Sequence, residues 1–283
     1  MTVGEALRAA SATLAIEGFE EASLEAEVLL MHVLGIDRAR LYARLGEALS
    51  DTDAAALTGL VERRVLKEPV AYITGHREFF GFDFYVARGA LIPRPESELL
   101  VEETLDFVRR RFPEADPLIA DAGTGSGAIA VTLALLLPKA RVYGTDISPR
   151  ALEVAGVNCE RHGVQGRVHL LEGELLCPLP QPVDVVVGNL PYVSVGEMAE
   201  LSEEIRLYEP VEALAGGEDG LDRIRRLLSQ VGGTLREGGV VLLEVGHAQA
   251  EAVAALGQLS LPGAGVELVR DLSGVERVVK IHV

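Results

Sequence analysis

The chain has no tryptophan, only two cysteines, and far fewer basic than acidic side chains, with 26 Lys and Arg against 43 Asp and Glu. Cys159 and Cys177 form neither a C-x-x-C pair nor the even, clustered framework of a disulfide-stapled secreted scaffold, so both are expected to be reduced and structural. His32, His76, His162, His169, His247 and His282 show no H-x-x-x-H spacing and no pairing with cysteine, so no metal is expected. A bilayer span needs about 18 uninterrupted apolar residues, and the sequence has no such run, so no membrane association is expected. Glu5, Glu17, Glu20 and Glu21 stand where a signal peptide would carry basic residues and then an apolar run, which points to a cytoplasmic protein. The net charge of −17 repels phosphate backbones. Direct nucleic-acid binding is therefore not expected, and a protein or small-molecule substrate fits better.

With 283 residues, one or two domains are expected. Over residues 1–70, apolar side chains recur at three- and four-residue spacings through Ala6–Ile16, Leu24–Leu34 and Ala54–Val65, broken at Gly18, Gly35 and Gly46. This pattern predicts a small helical domain. Ser50, three residues before Asp53, suggests a helix start. Residues 71–92 are rich in aromatic and β-branched side chains with glycines for turns, which predicts a β-hairpin linker. Residues 93–283 form the expected second domain. From Pro117 onward strand-like and helix-like segments alternate, which predicts an α/β fold with a doubly wound, mainly parallel sheet. Near the end, GVELVRDLSGVERVVKIHV reads as two strands joined at Ser273-Gly274, closing the sheet with an antiparallel pair.

Within LIADAGTGSGAIAV, Gly123, Thr124, Gly125, Ser126 and Gly127 lie between an apolar strand and an apolar helix. Backbone without Cβ admits close approach, and the amides at a helix start favour polar ligand groups, so Asp121 to Gly127 reads as a cradle for a nucleotide-like cofactor. Asp146 ends the next strand, where its carboxylate can accept hydrogen bonds from two ribose hydroxyls. Gly123, Gly125 and Ala128 also satisfy G-x-G-x-x-[GA], so this pair alone suits NAD equally well. Ser148 and Pro149 read as an N-cap and first-turn residue with a structural role.

The segment VDVVVGN leads into Asn189-Leu190-Pro191-Tyr192 at the carboxyl edge where open α/β sheets place ligands. An amide nitrogen is a poor nucleophile because its lone pair is delocalised, so a site that alkylates one must orient it and accept its N–H bonds. The Asn189 side-chain oxygen and the Leu190 carbonyl can each accept one, the Tyr192 ring can stack on the substrate plane, and Pro191 stiffens the turn. As positive charge migrates towards nitrogen, nearby carbonyl oxygens stabilise it. No strong general base is required.

The sequence resembles the HemK/PrmC family, protein-(glutamine-N5) methyltransferases that act on class 1 peptide-chain release factors in translation termination. The most specific likeness is Glu68 to Gly75, then FFGFDFYV, then Leu91 to Glu98. Tyr208-Glu209-Pro210 with AGGEDGLD, Glu244-Val245-Gly246 with Gln249, and Asp271 to Gly274 before Arg277 also match. The resemblance implies a seven-stranded methyltransferase sheet behind a helical substrate-recognition domain. It also implies that Gly123 to Gly127 and Asp146 bind S-adenosyl-L-methionine, released as S-adenosyl-L-homocysteine, with Glu174 and Leu175 beside its adenine. Asn189, Leu190, Pro191 and Tyr192 would bind the glutamine of a Gly-Gly-Gln motif, with Asn189 also touching the cofactor and Asn189 and Tyr192 serving catalysis. Phe79, Phe80 and Arg94 look like residues between the domains that help close the site, or alternatively like structural ones. Leu190 departs from the usual Asn-Pro-Pro-Tyr. Because Asn-Leu-Pro-Tyr is also similar to the motif of ribosomal-RNA adenine dimethyltransferases, nucleic-acid adenine methylation is the alternative activity. A non-catalytic cofactor-binding module and a NAD-dependent dehydrogenase are further rivals, the last without a convincing hydride-transfer His/Arg constellation.

Overall fold

The structure, a computed structural model, describes residues 1–283 and divides into two compact units. The first comprises Met1–His76 with Ser202–Tyr208, and the second Arg77–Leu201 with Glu209–Val283.

The first unit is helical: α1 (Val3–Ile16), α2 (Ala22–Leu34), α3 (Arg38–Ala43), α4 (Asp51–Val65) and α5 (Val70–Thr74), joined from far along the chain by α9 (Glu203–Tyr208). Helix α1 starts at a capping box: the Thr2 hydroxyl accepts from the Glu5 amide, and the Glu5 carboxylate accepts from the Thr2 amide. Ser50 caps α4 in the same sense, accepting from the Asp53 amide at 3.1 Å. Val3, Ala6, Ala10 and Leu14 form the buried stripe of α1 and pack with Leu29, Leu30, Leu41 and Leu57. The short α3, capped by Asp37 on the Arg40 amide, carries too few residues to show a period in sequence. Helix α5 occupies residues that the composition assigns to the hairpin. Pro69 at its N-cap and Gly75 in the left-handed conformation at its end bracket a single turn that buries Tyr72 and Ile73.

One side chain explains why Ser202–Tyr208 joins this unit. Arg64, 4% exposed, donates to both oxygens of Glu25 at 2.8 and 2.9 Å, pairs with Glu204 at 2.8 Å and lies over the Phe19 ring at 4.2 Å. The Tyr208 hydroxyl adds a bond to the Leu66 carbonyl.

The second unit starts at Arg77, within the hairpin of β1 (His76–Phe79) and β2 (Phe82–Tyr85), turned by Phe80 and Gly81 at φ of 53° and 78°. Then follow α6 (Glu98–Arg111), β3 (Leu118–Ala122), α7 (Ala128–Leu136), β4 (Arg141–Asp146), α8 (Pro149–Arg161), β5 (Val168–Glu172) and β6 (Val183–Gly188). After two short strands, β7 (Val193–Ser194) and β8 (Ala215–Gly217), come α10 (Asp222–Thr234), β9 (Leu235–Glu244), α11 (Ala250–Ser260), β10 (Gly265–Arg270) and β11 (Glu276–His282).

Seven strands form one sheet in the order β10-β11-β9-β6-β3-β4-β5. The run from β9 to β5 is parallel, and β11 is antiparallel to both β9 and β10, as the alternation and the closing hairpin predict. LIADA in β3 and VDVVVG in β6 are buried at every residue, the mark of central strands covered on both faces. Alternate side chains feed opposite cores. Ile119, Val185, Val187 and Leu242 pack with α6 and α7, while Ala120, Val186, Val241 and Leu243 pack with α10 and α11. The chain leaves β3 for β4 on one side, whereas β6 pairs with β3 on the other, with Asp121 opposite Val187. The carboxyl ends of β3 and β6 therefore flank a topological switch point, where such sheets open a crevice.

No helix is long and apolar enough to cross a membrane. Replacing Arg64 by alanine strands two carboxylates and removes the ion pair to α9. A loss of about 3 kcal/mol is expected in denaturant unfolding, at the low end for a buried ion pair because Glu25 and Glu204 are partly exposed.

Candidate active site

The loop after β3 turns through three glycines at positive φ, Gly123 at 72°, Gly125 at 55° and Gly127 at 79°, a region costly to side chains with a Cβ. Their surroundings differ. A Cβ on Gly127 would lie 3.1 Å from that of Ala155, so this glycine lets α7 approach α8. One on Gly123 would lie 3.3 Å from Leu190 Cδ2, which brings the loop against the segment after β6. One on Gly125 would meet nothing within 4 Å, and there the loop presents bare backbone to open space.

The loop is fixed from within. The Gly123 and Thr124 amides both donate to the Thr145 carbonyl at 2.9 Å, and the Thr124 hydroxyl donates to Asp121 Oδ2 at 2.7 Å. Thr124 thus turns its side chain inward. Ser126 is buried, and its carbonyl accepts from Asn158 Nδ2, a fully buried amide that also bonds the Tyr85 backbone. Asp146 Oδ2 accepts from the Gly125 amide and Oδ1 from the Ser148 amide, both at 2.9 Å, leaving each oxygen with further lone-pair capacity. Ser148 caps α8 with Pro149 in its first turn. Burial raises the carboxyl pKa of Asp146 and pushes that of Asp121 up to about 7; Asp121 Oδ1 is buried without a hydrogen-bond partner.

Beside Asp146, Ile147 exposes 64% of its surface as a bare apolar patch. Across the end of β5, Leu175 is buried at a φ of 50°, and the Leu176 amide donates to Gln230 Oε1 of α10. The Glu174 carboxylate pairs with Arg226 at 2.5 Å and with Arg223 at 3.6 Å. This stretch is therefore held by α10.

After β6, Asn189 Nδ2 donates to Ser97 Oγ at 2.9 Å, and the Ser97 hydroxyl donates to Glu244 Oε2 at 2.6 Å. Tyr192 reaches the other oxygen of Glu244 with its hydroxyl at 3.4 Å. Burial pushes Glu244 up to about 7; burial and the neighbouring Glu244 push Tyr192 up to about 12. Leu190 is 2% exposed and packs on Gly123 and Gly188, so the residue that replaces the usual proline joins the apolar core.

The backbone of the tetrapeptide is clasped from outside. Gln249 Nε2 donates to the Tyr192 carbonyl while its Oε1 accepts from the Gly246 amide, each at 2.9 Å. A Cβ on Gly216 would lie 2.7 Å from the Pro191 carbonyl oxygen, and one on Gly220 would fall onto that of Tyr192. The AGGEDGLD and EVG segments thus lack side chains where they embrace the loop, and β7 pairs with β8 beside it.

The family described as PrmC N-terminal domain matches residues 5–75, and the one described as methyltransferase domain matches residues 116–245. The release factor glutamine methyltransferase of Moorella thermoacetica is 43% identical over 98% of this chain and 97% of its own. That of Geobacter sulfurreducens is 44% identical over 94% and 91%. The chain belongs to the release factor glutamine methyltransferase family. It is a methyltransferase, and its sheet has the fold of a methyltransferase from Pyrococcus furiosus, with a TM-score of 0.53 at 20% identity over 72% of this chain and 89% of that one.

Around the tetrapeptide stand residues that the sequence places in family-like segments without giving them a part in the site, and one, Ile147, that it does not single out. Ser97 and Glu244 join Asn189 to Tyr192, Gln249 ties down the tetrapeptide, and Ile147 lies bare beside Asp146. Phe79 is a core residue, 1% exposed and edge-to-face with Phe84 at 6.1 Å. The Phe80 amide donates to Glu98 Oε1 at 2.8 Å, and Arg94 pairs with Glu209. Gly220→Ala should displace the tetrapeptide while leaving the glycine loop intact. Methyl transfer is expected to fall at least about tenfold with S-adenosylhomocysteine affinity, measured calorimetrically, within about twofold of the unaltered protein.

Proposed function

We propose that this protein transfers a methyl group from S-adenosyl-L-methionine to the side-chain amide nitrogen of the glutamine in the Gly-Gly-Gln motif of class 1 peptide-chain release factors, in the cytoplasm. The observation that carries this reading is the state of Asn189. Its amide nitrogen is committed to Ser97, so its Oδ1, on the other branch of the planar amide, is available to accept from a substrate N–H. The near full-length relatives named release factor glutamine methyltransferase support glutamine as that substrate.

The residues after β3 and β4 fit the cofactor. Gly125 offers uncovered backbone, Asp146 keeps acceptor capacity for two hydroxyls, and Ile147 supplies an apolar surface for a base. Asp121 Oδ1, buried and unpartnered, is an acceptor suited to a cationic group. Glu174 and Leu175 would border the adenine, with the Glu174 charge directed to α10. Thr124 and Ser126 would contribute through the shape of the loop, since their side chains turn inward.

S-adenosylmethionine, when bound, supplies an electrophilic methyl on a sulfonium. The protein's task is then to orient a weak nucleophile. Asn189 Oδ1 and the Leu190 carbonyl would each accept one N–H of the target amide, fixing its plane and stabilising the positive charge that grows on nitrogen. The Tyr192 ring, held through its hydroxyl by Glu244 and packed against Gly246, would stack on that plane. The surplus proton can leave to water once the new bond has formed.

Incubation with labelled S-adenosylmethionine and either a purified release factor or ribosomal RNA should place label in the release factor alone; label confined to RNA would refute the assignment. Asn189→Ala is expected to reduce kcat by about 100-fold while cofactor affinity stays within about twofold, because it removes an acceptor from the reacting nitrogen.

A further inference from the structure

Ser97 ends the 3-10 turn Pro95–Ser97 that runs into α6, and its backbone is already helical, so its hydroxyl is not engaged in capping the helix. Its hydroxyl, on a residue 3% exposed, instead spans partners 92 and 147 positions away, Asn189 and Glu244. A hydroxyl has one proton. The ionised carboxylate of Glu244 can only accept, so that proton goes to Oε2, and towards Asn189 the Ser97 oxygen can only accept in turn. Asn189 must then present Nδ2 to it. With the amide turned over, Asn189 Oδ1 would face the lone pairs of Ser97, and an NH2 donor would face the donors of a substrate amide.

We propose that Ser97 and Glu244 are positioning residues for methyl transfer: the directional chain Asn189 Nδ2 to Ser97 Oγ to Glu244 Oε2 selects the one orientation of the Asn189 amide that offers its oxygen to the methyl acceptor. The proposal rests on the reading of Asn189 given above. Glu244 also takes the Tyr192 hydroxyl on Oε1, so one buried carboxylate, 2% exposed, sets both side chains of the tetrapeptide that address the substrate. Protonation of Glu244 would let its O–H donate to Ser97 and the chain reverse, and burial brings that event into reach by raising its pKa to about 7.

The test is a double-mutant cycle on the full-length protein, with a purified release factor and radiolabelled S-adenosylmethionine under single-turnover conditions that keep slow variants measurable. Ser97→Ala is expected to lower the methyl-transfer rate about tenfold or more, with the release-factor KM and calorimetric S-adenosylhomocysteine affinity within about twofold, and to shift the ¹⁵N side-chain amide resonance of Asn189. In the Asn189→Ala background the same change should cost nothing further. Ser97→Thr, which keeps the hydroxyl, should restore most of the rate. Glu244→Gln, which can donate an N–H to Ser97 and admit the reversed chain, should also lower it, and by a smaller factor in the Asn189→Ala background. An unchanged rate in Ser97→Ala, or an equal fold-loss with and without Asn189, overturns the proposal. If Asn189→Ala is itself fully active, the reading of the tetrapeptide fails and the relay fails with it; an inactive Asn189→Ala beside a normal Ser97→Ala removes the relay alone.

Discussion

A carboxylate removed from water must be met by donors, and at Glu244 the donors arrive from two distant parts of the sequence: Ser97 before α6 and Tyr192 after β6. Glu244 is the last residue of β9, so its position is set by a strand whose apolar side chains lie in both cores of the sheet. A network anchored on a rigid element keeps its geometry better than one held by loops. The tetrapeptide is itself a loop, yet Asn189 and Tyr192 are tied through this network to β9.

The same loop is positioned on its other sides by small residues and by topology. The reversal of strand order between β3 and β6 brings Gly123 and Leu190 together, and Leu190 fills the space with a core side chain. The proline it replaces would have stiffened the backbone through its ring. Burial of a leucine supplies the restraint by packing instead, while its carbonyl stays in the backbone either way. Gly216, Gly220 and Gly246 then let neighbouring segments close over the carbonyl oxygens and ring of the tetrapeptide. The glycine loop and the tetrapeptide are thus in contact, the arrangement that the proposed transfer from a methyl donor to an acceptor calls for.

The sequence exposed those features whose physical signature is local. Uninterrupted apolar runs such as VDVVVG mark buried parallel strands, three alternating glycines mark a left-handed turn, and Ser50 marks a helix start because a cap acts over three residues. Features made by distant partners were hidden. No spacing rule joins Ser97 to Glu244 across 147 positions, and nothing around residue 204 announces that Arg64 draws that segment into the helical unit. Motif membership also concealed direction. Thr124 belongs to the glycine loop but spends its hydroxyl on Asp121, and the Glu174 carboxylate turns to arginines on α10. The short α5 escaped because composition favours strand there, whereas Pro69 and Gly75 at its two ends decide the outcome.

The proposed methyl transfer depends on where a glutamine amide sits relative to Asn189 and Leu190. A crystal structure of the protein with S-adenosylhomocysteine and a Gly-Gly-Gln peptide measures this directly. It should show the glutamine nitrogen at hydrogen-bond distance, about 3 Å, from both Asn189 Oδ1 and the Leu190 carbonyl oxygen, with Asn189 Nδ2 still on Ser97. A glutamine bound elsewhere, or an Asn189 amide turned to present its nitrogen to the peptide, would contradict it.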